Sequence, residues 1–147
     1  MNLKQIIKMA ELFRGLTDNH IQHVIGICHE EKCDHGTVVF KQGENGDKLY
    51  IVGQGQVEVS VTDGEGVTRP AVYLGEGQVF GEMALIDEAP RSASVIIAED
   101  DTVLYSINSP EFIALCMTNT DIGYVMMRNI AQDLSFKLRH RDYDPSN

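Results

Sequence analysis

The chain has 147 residues, 43% of them hydrophobic, and a formal net charge of −10. That length suits one domain with a core large enough to fold without disulfide or metal staples. The acidic balance argues against nucleic acid as a partner, since such affinity rests on cationic side chains set against phosphates.

The first stretch, over about residues 1–30, reads as helical. Leu3, Ile6, Ile7 and Ala10 keep helical spacing, and so do Ile21, Val24, Ile25 and Cys28. Thr17 or Asp18 can cap the second of these helices. Lys4, Lys8 and Glu11 break the opening segment, which therefore lacks the apolar run of a secretory signal. No run of 18 apolar residues occurs, so no membrane span or membrane partner is expected and the chain reads as cytoplasmic. The cysteines are Cys28, Cys33 and Cys116, an odd number without CxxC spacing and a poor disulfide framework. A reducing compartment fits them, and Cys28, on an apolar stripe, is expected to be a small core residue rather than a reactive thiol.

From Lys32 the period changes. Val57, Val59 and Val61 alternate with Gln56, Glu58 and Ser60, as in a half-buried strand. Short strand-like runs are expected at Val38–Phe40, Leu49–Val52, Ala71–Leu74, Ser94–Ala98 and Val103–Ile107. Glycine-bearing turns at Gly43–Asp47, Asp63–Gly66 and Gly75–Gly77 separate several of them. Many short strands with regular turns, over about residues 32–108, imply a sandwich, roll or barrel.

Helix returns over about residues 109–140. Ser109 is placed to cap and Pro110 to take the first helical position. A longer helix is expected from about Asp121 to Arg139, with Met127, Ile130, Ala131, Leu134 and Leu138 as its apolar stripe. Arg128, Lys137, Arg139 and Arg141, four of the 12 basic residues, lie in this segment. The tail Asp142–Asn147 reads as frayed.

The chemically informative stretch is Phe80–Val95. Gly81 permits a tight turn and close backbone approach. Glu82, Met83, Ala84 and Leu85 can form one helical turn, whose free N–H groups favour an anion. Arg91 follows in a strand entry fixed by Pro90, and its planar fork suits phosphate oxygens. Ser92 adds a hydroxyl and a further N–H. A carboxylate at Glu82 would repel a phosphate, but it suits the hydroxyls of a ribose. The alternative is that Glu82 and Arg91 pair with each other and brace the loop.

The stretch resembles the phosphate-binding cassette of the cyclic nucleotide-binding domain family, through Phe80, Gly81, Glu82, Ala84, Leu85, Pro90, Arg91 and Ala93. The resemblance extends to the glycine-punctuated Gln42–Val59, to Leu74–Glu82 and to the leading helices around Ala10–Val24. It implies a mainly β fold with flanking helices: a double-stranded, jelly-roll-like β-roll with N-terminal helices and a C-terminal lid helix, in one domain over residues 1–147. It implies ligand-binding residues Gly81, Glu82, Met83, Ala84, Arg91, Ser92 and Ala93. Arg91 would hold the cyclic phosphate, Glu82 the ribose 2′-hydroxyl, and N–H groups near Ala84 and Ser92 would complete the phosphate cup. Phe136 and Lys137 on the last helix would contact the base. Ser92 could read guanine, yet cAMP is favoured over cGMP.

The expected function is that of a cyclic nucleotide sensor signalling through movement of the C-terminal helix, with no enzymatic step, metal or cofactor. The family's catabolite activator branch carries a DNA-reading segment after its long helix. No such segment is expected here, so output would fall to an effector protein or to self-association through the last helix. A β-roll scaffold without nucleotide is the alternative function. A cupin-like metalloenzyme would need clustered ligands, and His20 and His23 share a helix face without a third ligand evident nearby.

Overall fold

A computed structural model describes residues 1–141. The N-terminal region comprises α1 (Leu3–Met9), a 3-10 turn (Glu11–Phe13) and α2 (Asp18–Ile25). Thr17, rather than Asp18, caps α2: its hydroxyl accepts the His20 N–H, and its own N–H donates to His20 Nδ1, both at 3.2 Å. The helix stops at Ile25, so Cys28 lies in the turn beyond it rather than on its stripe. There the thiol donates to the Val24 carbonyl, and burial pushes its pKa up to about 12.

Extended backbone begins at His29, earlier than the change of period at Lys32. The strands are β1 (His29–Cys33), β2 (Val38–Phe40), β3 (Lys48–Gln54), β4 (Val57–Thr62), β5 (Thr68–Leu74), β6 (Val79–Phe80), β7 (Ser94–Ile97) and β8 (Thr102–Asn108). They form two antiparallel four-stranded sheets, ordered β1-β8-β3-β6 and β2-β7-β4-β5. This is the expected β-roll with flanking helices.

Two apolar cores explain the patterning. Tyr50, Val52, Val57, Phe80, Val95, Ile97 and Leu104 fill the space between the sheets. Leu49, Ile51 and Ile107 face the other way, into a second core with the helices. β3 is therefore buried on both faces, which is why Leu49–Val52 reads as a continuous apolar run. β4 keeps its expected alternation only in part. Val57 is buried, but Val61 is exposed, because β4 has run past its last pair with β7, Ser60 opposite Ser94.

Three helices complete the described chain: α3 (Ala84–Asp87), α4 (Ser109–Thr118) and α5 (Thr120–Arg141). The cap of α4 is Asn108, not Ser109; Asn108 Oδ1 accepts the Glu111 N–H at 2.9 Å, and Ser109 is already helical. α5 is rotated relative to the expected stripe. Ile122, Met126, Asn129 and Ile130 are buried, whereas Met127, Ala131 and Leu138 are exposed. Two polar and steric constraints set that rotation. Asn129 Nδ2 donates to the carbonyls of Leu12 at 2.7 Å and Arg14 at 2.9 Å. Gly123 sits against Cys116 of α4, where an added Cβ would lie 3.0 Å from the Cys116 carbonyl oxygen. The segment from Asp142 to Asn147 lies outside the described residues. Among those described, no helix is long and apolar enough to cross a membrane.

Candidate functional site

The chain leaves the first sheet at Phe80, whose ring stacks on Tyr50 with centroids 5.1 Å apart. Gly81 then adopts φ +77°, a left-handed value that favours glycine. Glu82 and Met83 form a turn and α3 follows, later than the expected start at Glu82 and only four residues long. The Ala84 N–H is committed to the Gly81 carbonyl at 3.1 Å, so it is not a free donor. α3 ends in a left-handed Glu88, φ +52°.

The loop Gly43–Asp47, between β2 and β3, holds the far end of the cassette. The Arg91 N–H donates to the Glu44 carbonyl at 2.7 Å, and the Arg91 carbonyl accepts the Gly43 N–H at 2.9 Å. Asn45 forms a bridge to Pro90, and the Gly46 N–H reaches the Ala89 carbonyl at 3.3 Å. These contacts fix the backbone from which Arg91 projects.

The guanidinium of Arg91 runs inward. Nη2 donates to the Lys48 carbonyl at 2.8 Å and Nη1 to the Gly81 carbonyl at 3.4 Å, while Cζ lies 4.0 Å from the centre of the Phe40 ring. Nε is buried and, among the described residues, has no hydrogen-bond partner. Burial pulls the Arg91 pKa below the usual arginine range, against the opposing pull of Tyr50, Asp47 and Glu44. A cation desolvated in this way, held by neutral carbonyls and with one buried donor unused, favours an anion beside it.

Glu82 does not pair with Arg91. Its Oε1 accepts from Lys137 Nζ of α5 at 3.1 Å. The bracing ion pair allowed by the sequence is therefore absent, and Glu82 and Arg91 serve separate contacts.

All seven ligand-binding candidates, Gly81, Glu82, Met83, Ala84, Arg91, Ser92 and Ala93, line one cavity of about 400 Å³. Lys137 joins them from α5, with its charge spent on Glu82. Phe136 does not line the cavity; it is 61% exposed and stacks on His140 with centroids 3.8 Å apart. The sequence reading missed the cavity's apolar side, formed by Phe40, Val59, Phe80 and Val95. Only the alternation of β2, β4 and β7 hinted that these side chains turn inward. It also missed Gly46 and the Lys48 carbonyl, which shape the seat of Arg91. The cavity can thus receive a ligand with an anionic end, a hydroxyl-bearing middle and a flat apolar portion. Among the described residues, no group of three or more His, Cys, Asp or Glu side chains is placed to hold a metal ion. His20 instead serves the cap of α2.

Comparison with known proteins points the same way. Residues 30–119 match the family model of the cyclic nucleotide-binding domain. The chain is 32% identical over 138 residues to the Cyclic AMP receptor protein of Thermus thermophilus, covering 94% of this chain and 62% of that one. The crystal structure of Thermus thermophilus Catabolite Activator Protein superposes with a TM-score of 0.82 at 32% identity, covering 91% of this chain and 61% of that one. The regulatory domain of Toxoplasma gondii PKA, solved with cAMP, superposes with a TM-score of 0.70 at 31% identity, covering 77% and 42% respectively. This chain spans less than two thirds of the length of each.

Proposed function

The chain belongs to the cyclic nucleotide-binding domain family, and we propose that it is a sensor module whose cavity takes a cyclic nucleotide, cAMP in preference to cGMP. The observation that carries this reading is Arg91, a desolvated cation with a buried unpartnered Nε, lining the same cavity as the carboxylate of Glu82. Arg91 would hold the cyclic phosphate, and Glu82 the ribose 2′-hydroxyl. Phe40, Val59, Phe80 and Val95 would give the rest of the ligand an apolar wall. Gly81 stands against the Arg91 guanidinium at the phosphate end, and Met83, Ala84, Ser92 and Ala93 line the same cavity. The preference for cAMP rests on greater similarity to proteins named for cAMP, at 32% and 31% identity, than to the cGMP-dependent protein kinases egl-4 of Caenorhabditis, at 27%. Such a site binds rather than transforms its ligand.

Output would pass through α5, which is tied both to the cavity by Lys137 and to the N-terminal turn by Asn129. The partner we assign to it is a second copy of this chain. Tyr124, Met127, Ala131 and Leu138 lie at steps of three, four and seven, on one exposed face of the helix. Tyr124 is 64% exposed, and Ile113 and Met117 of α4 extend the surface. Among the described residues of α5, Arg128 and Arg139 add positive charge to a chain of net charge −10, which lessens repulsion between two copies along this helix.

Titration calorimetry with cAMP and cGMP tests the binding function. The native chain should bind both, cAMP more tightly. Arg91→Ala should weaken binding on the order of a hundredfold, since removing one partner of a buried charged contact costs a few kcal/mol. No heat with either nucleotide would sink the reading and leave a β-roll scaffold.

A further inference from the structure

We propose that Lys137 is the positioning residue for Glu82, orienting its carboxylate toward the nucleotide's ribose rather than touching the base. The proposal rests on the nucleotide reading above and deepens it. Glu82 stands between two cavities. One is the cavity of Arg91; the other, about 380 Å³, is bordered by Glu82 together with Glu11 and Asp133. A free carboxylate at this position has no local reason to face the first cavity in preference to the second. Lys137 supplies one: it lines the Arg91 cavity and not the other, and its Nζ lies 3.1 Å from Glu82 Oε1.

The contact leaves the carboxylate usable. An ionised carboxylate offers about four acceptor sites on two oxygens. An ammonium on Oε1 leaves Oε2 for a hydroxyl. Glu82 is the more enclosed of the two, with its side chain 21% exposed against 59% for Lys137. The lysine therefore reaches from the rim to a carboxylate whose backbone the cassette places but whose direction the cassette leaves open.

The test compares cAMP with 2′-deoxy-cAMP in calorimetric titrations of the native chain, Lys137→Met, Lys137→Arg, Glu82→Gln and the Glu82→Gln/Lys137→Met double variant. Lys137→Met should weaken cAMP by about two- to fivefold, the size of an exposed ion pair. It should leave 2′-deoxy-cAMP unchanged. Lys137→Arg should keep native affinity for both, and in the Glu82→Gln background the lysine substitution should have no further effect. Equal weakening of both ligands by Lys137→Met would overturn the proposal in favour of a base or phosphate contact, and unchanged cAMP affinity would remove the residue from the site. A native chain that binds neither ligand would instead overturn the nucleotide reading itself, and this proposal with it.

Discussion

Arg91 is held by carbonyl oxygens and an aromatic face rather than by a carboxylate, and the seat it needs is made by glycines. A methyl group at Gly46 would collide with Arg91 Cζ and Nε, and one at Gly81 would lie 2.7 Å from Nη1. The obstruction at Gly46 meets the far end of a flexible side chain, so the fold can absorb it by moving the guanidinium. Gly46→Ala should therefore leave the thermal midpoint within a few degrees of native yet weaken cAMP at least about tenfold, roughly 1.4 kcal/mol. Native affinity in that variant would show that the seat of Arg91 does not matter. The cassette was legible in the sequence because its residue types are contiguous and chemically unusual together. Gly46, Lys48 and Phe40 were not, because they reach Arg91 only after the chain has folded back across more than 40 residues of sequence.

α5 shows how an element can be found correctly and still be rotated wrongly. Its extent was evident from helical spacing, but it carries two apolar stripes, and the sequence alone gives no reason to prefer one. Ile122, Met126 and Ile130 face the core, while Tyr124, Met127 and Leu138 face outward. The deciding contacts are polar and steric: Asn129 on the carbonyls of Leu12 and Arg14, and Gly123 against α4. Ser109 was misplaced for a similar reason, since either it or Asn108 could cap and only the backbone geometry selects Asn108. If the outward stripe joins two copies, Met127→Lys with Leu138→Lys should turn a concentration-dependent dimer into a monomer in sedimentation velocity. Both side chains are already exposed, so the change should shift the unfolding free energy by about 0.5 kcal/mol or less. A native chain that sediments as a monomer at all concentrations, or a dimer that survives both lysines, would exclude this seam.

Over the whole molecule, two cores share β3, one between the sheets and one under the helices. The β-roll was legible from strand length, turns and the cassette resemblance. Its limits were less so, because β1 starts within what reads as the end of the helical region and because the β4–β5 hairpin extends beyond its neighbours. The arrangement places α5 in contact with both the N-terminal turn and the cassette, so a ligand in the cavity would act on an element that spans the second core. Such a ligand shifts an equilibrium only through unequal affinity for its states. Contact with α5 is what would make the affinities differ. Amide hydrogen exchange with and without saturating cAMP tests this most directly. The expected result is slowed exchange in two places, the cassette from Phe80 to Val95 and the length of α5, with the outer strand β5 unchanged. Protection of the cassette alone, or of neither, would contradict it.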